Sequence, residues 1–88
     1  MYFVYILQSQ KFNRFYIGVT SDIEKRLNKH NLKGNRSTAP YKPWEIIYSE
    51  SYSNKHDAYK REYYLKDPKG YLEKRKIIED NKKHGEIA

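Results

Sequence analysis

Two short runs near the start of the chain, Tyr2–Gln8 (YFVYILQ) and Arg14–Thr20 (RFYIGVT), are dense in β-branched and aromatic residues. The mainly polar stretch Ser9–Asn13 separates them. Residues of this kind favour strands, because rings and branched side chains pack well on a pleated surface. Two strands so close in sequence fold back on each other as a β-hairpin, which commits the fold to an antiparallel sheet. With Tyr5 set directly opposite Tyr16, Gln8 faces Asn13 and a four-residue loop remains, an acceptable hairpin length. The two phenols then share one face of the sheet. Gly18 packs poorly inside a strand, and marks a close approach by a ligand or by another backbone.

The remaining elements follow from caps and periodicity. Ser21-Asp22-Ile23-Glu24 has a capping-box pattern, with Ser21 as N-cap and Glu24 reaching back. It predicts a helix from about Asp22 to Asn31, stopped before Gly34. Leu32–Pro43 is a loop with one glycine, two prolines and several basic side chains. Trp44–Tyr52 (WEIIYSESY) resumes strand character as a third strand on the hairpin. A second helix opens at Asn54 and continues to about Lys66. Asp67-Pro68 then caps and starts a third helix, with Tyr71, Leu72, Arg75 and Ile78 at helical spacing. The fold class is therefore α/β (α+β), a small three-stranded antiparallel sheet flanked by helices in β-β-α-β-α-α order. Residues 1–81 form one domain, and 82–88 are a polar, frayed tail.

At 88 residues the chain has room for one domain with one modest core. Its 18 Lys+Arg against 11 Asp+Glu leave a net charge of +7. Such an excess suits a polyanionic partner, because neutralised phosphates release condensed counterions. Many small soluble proteins are also simply basic. The lack of cysteine excludes disulfides, zinc–thiolate sites and a cysteine nucleophile. No apolar run approaches the roughly 20 residues a membrane span needs. The first ten residues lack the basic region and small-residue cleavage site of a signal peptide, so a cytoplasmic protein is expected. His30, His56 and His84 have no metal-site spacing.

Polar groups that interrupt the apolar pattern are the candidates for chemistry. Glu62 lies on one stripe of the second helix with Ala58 and Leu65, on the face expected to pack inward, where an unpaired charge is costly. A Glu62–Lys66 pair at i,i+4 is the ordinary explanation. Arg26 borders the Ile23, Leu27, His30 stripe of the first helix. It is either a surface arginine or a fork of donors aimed at a phosphate. Tyr5 and Tyr16 form an aromatic cross-strand pair or line a cleft with their hydroxyls.

Phe3-Val4-Tyr5, followed after ten residues by Tyr16-Ile17-Gly18, resembles the two short motifs that name the GIY-YIG nuclease superfamily. Arg26, eight residues beyond Gly18 on a helix, matches the family's characteristic arginine. His30 stands four further on, where these enzymes carry His or Tyr. Glu62, in Ala58-Tyr-Lys-Arg-Glu62, looks like the family's metal-binding glutamate. The likeness covers roughly residues 2–80 and is closest to short stand-alone bacterial members, similar to the nuclease module of the DNA excision-repair enzymes. Two positions depart from the pattern. Phe3 replaces the first motif's glycine, as is typical of stand-alone members. Val19 stands where the excision-repair enzymes have lysine, leaving its work to Tyr16, Arg26 or metal-bound water.

The resemblance implies a metal-dependent endonuclease that hydrolyses phosphodiester bonds in nucleic acid, DNA above RNA. Glu62 would hold one Mg²⁺ or Mn²⁺. Arg26 would clamp the scissile phosphate. Tyr16 would be the general base, Tyr5 would orient water or share that role, and His30 would assist proton transfer or hydrogen-bond Tyr16 or the phosphate. Arg14, Lys25, Lys29, Lys33, Arg36 and Lys42 would contact the nucleic-acid backbone. The alternatives are a non-catalytic nucleic-acid-binding module on the same fold, a metal-independent mRNA-cleaving toxin, and a protein whose tyrosines form a partner interface.

Overall fold

The central strand of the sheet is the first one in the chain, and it decides where everything else packs. A computed structural model describes residues 1–83. Strand β1 (Tyr2–Ser9) lies between β2 (Phe15–Thr20) and β3 (Trp44–Tyr52), antiparallel to both. Helix α1 (Ile23–Leu32) follows β2, and helices α2 (Lys55–Lys66) and α3 (Tyr71–Asn81) follow β3. This is the β-β-α-β-α-α, α+β arrangement the sequence predicts.

Val4 to Ser9 are all buried, because both faces of β1 are covered. Val4 and Ile6 join Ile17, Val19 and Ile47 beneath α2, whose Ala58 and Leu65 are fully buried there. Tyr5 and Leu7 join Trp44 on the opposite face, with Ile23 and Leu27 of α1 packed against them. A strand covered on both faces reads as a continuous apolar run, as Phe3–Leu7 does. A bulge in the β1–β3 ladder at Ile6/Leu7, with Ile47 as the extra residue, lets adjacent Ile47 and Tyr48 serve the same cluster while Ile46 serves the opposite one.

The hairpin register differs from the expected one. Tyr5 faces Gly18, and Tyr16 faces Leu7. Tyr5 and Tyr16 remain on one face, since a two-residue shift preserves the alternation of side chains. The four-residue loop is Gln10–Asn13, closed by a 3.0 Å bond from Ser9 N–H to the Arg14 carbonyl. Ser9 Oγ stabilises the turn by accepting from the backbone N–H of Phe12 at 3.1 Å. The close approach at Gly18 comes from neither ligand nor backbone: a Cβ there would lie 2.5 Å from Tyr5 Oη. The ring of Tyr5 lies over the glycine, which accounts for a residue otherwise poor in a strand.

Three further expectations are revised. Asp22, not Ser21, caps α1, its carboxylate accepting from Lys25 N–H at 3.0 Å. A charged acceptor there also complements the helix dipole. Pro68 starts a short 3₁₀ turn, Pro68–Gly70, before α3 begins at Tyr71. The inward side chains of α3 are Ile77 and Ile78; Tyr71, Leu72 and Arg75 are exposed, because only the later part of this helix packs on the core. Gly34 ends α1 as expected, with φ +71° and its N–H on the Lys29 carbonyl. Of the predicted tail, Lys82 N–H caps α3 on the Ile78 carbonyl and Lys83 N–H donates to Gln8 Oε1 at 2.9 Å. Residues 84–88 lie outside the described residues. Among the described residues no helix is long and apolar enough to cross a membrane.

Candidate functional site

On the α1 face of the sheet, Tyr5 is 1% exposed and its hydroxyl lies 3.2 Å from Nε2 of His30, itself 3% exposed. Nδ1 of His30 meets Thr38 Oγ1 at 3.0 Å. Thr38 is fully buried, and its hydroxyl donates to Asn35 Oδ1 at 3.2 Å while accepting from Asn35 N–H at 2.9 Å. With its proton committed to Asn35, Thr38 Oγ1 can only accept from the imidazole. The network therefore assigns the proton of neutral His30 to Nδ1, leaving Nε2 to accept from the Tyr5 hydroxyl. The chain of donors runs Tyr5, His30, Thr38, Asn35. Burial, reinforced by the charges of Arg26 and Lys29, lowers the His30 pKa below its ordinary value and keeps the ring neutral.

The loop that carries Thr38 is fastened to α1. Asn31 brackets Trp44 through both backbone groups, at 2.9 Å to the carbonyl and 2.5 Å from the N–H. Trp44 Nε1 donates to the Thr38 carbonyl at 2.8 Å. Neither Thr38 nor Asn35 carries a sequence signal of its role: each has an ordinary loop composition around it, and only the fold places them behind His30.

Tyr16 stands beside this chain, its ring centroid 4.9 Å from that of His30 and 6.3 Å from that of Tyr5. Tyr5 has its pKa driven well above that of a free phenol, first by burial and then by Tyr16. Arg26 opposes that shift through its charge and a hydrogen-bonding contact with the phenol, and the Glu62 carboxylate adds to it. Tyr5, Tyr16, Arg26, His30 and Glu62 thus share one neighbourhood, brought from β1, β2, α1 and α2. They are not all exposed to one groove. Tyr5 is sealed beneath the others. Arg26 opens on a hollow of about 230 Å³ with Asp22, Lys25 and Lys29, Glu62 on one of about 460 Å³ with Tyr59 and Tyr63, and Tyr16 on a groove of about 600 Å³.

Lys66 joins the last two. Its ammonium is 3.2 Å from a Glu62 oxygen and 5.7 Å above the centroid of Tyr16. The i,i+4 pair anticipated from spacing is thus present, beside the phenols. The donor set fits a hard cation held by one carboxylate and otherwise by water. Among the described residues no three His, Cys, Asp or Glu side chains cluster as a protein cage would require.

The six predicted backbone contacts are spread over the surface. Lys25 and Lys29 flank Arg26. Arg14 lies 5.0 Å over the Tyr41 ring and borders the Tyr16 groove. Lys33 is the C-cap of α1, Arg36 is exposed in the loop, and Lys42 reaches the Leu32 carbonyl at 3.5 Å. Lys66, Lys74 and Arg75 also border the Tyr16 groove. No periodicity distinguishes them from solvated helix charges.

Residues 1–76 match the family model described as the GIY-YIG catalytic domain. UPF0213 protein YazA of Bacillus subtilis is 41% identical over 66 residues, 74% of this chain and 66% of that protein. A UPF0213 protein of Limosilactobacillus reuteri is 38% identical over 68 residues, covering 74% of this chain and 70% of the relative. The solution NMR structure of UPF0213 protein BH0048 from Bacillus halodurans superimposes with a TM-score of 0.54 at 25% identity, over 94% of this chain and 89% of that one.

Proposed function

This chain belongs to the GIY-YIG catalytic-domain family, a nuclease-type family, and we propose that it is an endonuclease hydrolysing phosphodiester bonds in nucleic acid, DNA in the first instance, with one Mg²⁺ or Mn²⁺. The observation that carries this is the convergence of two phenols, a neutral imidazole, a guanidinium and one carboxylate from four separate elements.

Arg26 binds the scissile phosphate and offsets the negative charge that builds on its oxygens. Tyr16 is the phenol that solvent and substrate reach, and as general base it takes the proton of the attacking water while its own hydroxyl proton passes to solvent. As water oxygen bonds to phosphorus, the bond to the leaving 3′-oxygen breaks and that oxygen is protonated from solvent. Tyr5 stays protonated; its proton is committed to His30, and its remaining lone pairs face Arg26. Its role is to hold guanidinium and imidazole in register beneath the substrate. Glu62 would hold the cation after releasing Lys66, and the bound ion supplies Lewis-acid stabilisation of phosphate and leaving-group charge.

The test is a panel of labelled duplex, flap, junction and RNA substrates with Mg²⁺, Mn²⁺ or EDTA. The wild type should nick at least one substrate with metal and none in EDTA. Arg26→Ala and Glu62→Ala should each slow nicking by about 10²–10³-fold, the range for removing one group that stabilises transition-state charge. Undiminished cutting in EDTA would point to metal-free chemistry. Binding without nicking in the wild type, unchanged by Glu62→Ala, would leave a binding module.

A further inference from the structure

Ten tyrosines are more than the two core clusters absorb, and several stand in solvent: Tyr63 is 73% exposed and Tyr71 49%. Both lie on the walls of hollows that meet at Lys66. On one side the hollow beside Glu62 is lined by Tyr59, Tyr63 and Lys66. On the other, the groove of about 600 Å³ runs between the β1–β2 hairpin and α3, bordered by Arg14, Tyr16, Lys66, Tyr71, Lys74 and Arg75. A smaller hollow with Lys66, Tyr71 and Lys74 connects them. Lys74 extends over the Tyr71 ring, 5.3 Å from its centroid. Among the described residues, no carboxylate forms an ion pair with Arg14, Lys74 or Arg75.

We propose that this trough is a binding subsite for an unpaired nucleic-acid strand, contiguous with the cleavage site at Tyr16 and Glu62. It rests on the nuclease reading and narrows it to substrates with a single-stranded segment beside the cut. Lys66, Lys74, Arg75 and Arg14 contact successive phosphates, and Tyr63 and Tyr71 offer ring faces to unstacked bases. Alternating cations and exposed rings suit a single strand, whose bases are free to stack on protein. A duplex hides its base faces and would leave both tyrosines without use.

The experiment is fluorescence anisotropy of a labelled single-stranded oligonucleotide and of the matching duplex, in EDTA so that no cleavage intervenes, across a salt series. Tyr63→Ala and Tyr71→Ala should each weaken single-strand binding about fivefold to a hundredfold, the usual cost of losing one stacked base. Tyr71→Phe, which keeps the ring, should bind like the wild type. The double variant Lys74→Ala/Arg75→Ala should weaken binding and flatten the salt dependence by about 1.4 in log–log slope, two contacts at about 0.7 each. Lys76→Ala, on the outer face of α3 and paired with Asp80, is the neutral control. These substitutions lie at the surface, and circular dichroism checks that each variant is folded. Wild-type affinity in both tyrosine variants and in the double variant, or binding of duplex but not single strand, would overturn the subsite and leave the nuclease reading standing. No binding and no cleavage by the wild type at low salt would end both.

Discussion

At His30 three constraints meet in one ring: burial, a donor on one side and an acceptor on the other. Removing the acceptor without changing shape should be informative. Thr38→Val leaves Nδ1–H buried with no partner, which costs about 1–3 kcal/mol in urea unfolding and frees the imidazole to turn away from Tyr5. Nicking should fall with it, whereas Thr38→Ser should retain most of both. The pH dependence follows from the lowered pKa. Below about pH 6.5 the unfolded chain takes up a proton that folded His30 resists, so stability present above that pH is lost as pH falls through the folded value. Urea midpoints between pH 7 and 5 should therefore decline in the wild type, and decline less in His30→Gln. Gly18 is the other sensitive position. Gly18→Ala must push the Tyr5 ring aside, and should reduce nicking more than any surface substitution on β2.

Between elements, the strongest polar joint lies on the far side of the sheet from His30. Glu50 on β3 accepts from Arg61 of α2 through both oxygens, at 2.9 Å each, and from the hydroxyls of Tyr48 and Tyr52 at 2.6 Å. Arg61 also reaches Glu73 of α3 at 2.5 Å, so one guanidinium ties two helices to the sheet edge. Burial alone would raise the Glu50 pKa, but the bonds from Arg61 and both tyrosines outweigh it and hold it below the usual carboxylate value. The two phenols are pushed the other way, to about 12, by burial and by their bonds to the carboxylate. Glu50→Gln should cost roughly 1–3 kcal/mol in denaturant unfolding, since Arg61 loses its charge-assisted partner. The sign of the pH effect is that of a carboxylate with a lowered pKa. The contribution is present above about pH 4.5 and is lost as pH falls further, a window that opens at lower pH than that of His30. If Glu50→Gln were as stable as the wild type at pH 7, the network would be surface decoration.

Across the whole molecule, the net charge of +7 is not spread evenly over function. Lys25, Arg26 and Lys29 gather around one hollow, and Arg14, Lys66, Lys74 and Arg75 around the groove that Tyr16 lines. A strand spanning both would meet cations at each. If about four phosphates are neutralised, affinity for duplex DNA should fall by about a hundredfold between 50 and 200 mM salt. An affinity indifferent to salt would mean that the charges are merely solvated.

The family resemblance named the five residues to bring together, and residue order was enough to set the succession of elements and the limits of β3 and α2. Those features rest on local chemistry: ring and branched side chains in strands, Asn54 as a cap, Gly34 as a stop. The hairpin register was settled by packing instead, because a two-residue slip keeps every side chain on its face and periodicity cannot tell the two alignments apart. Packing also sealed Tyr5 and left Tyr16 open. That distinction depends on what α1 and the Thr38 loop cover, and those segments are distant in sequence from the strands beneath them. The same distance hides the Lys66–Lys74–Arg75 wall, whose members look like any solvated helix charges until α2 and α3 fold beside the hairpin.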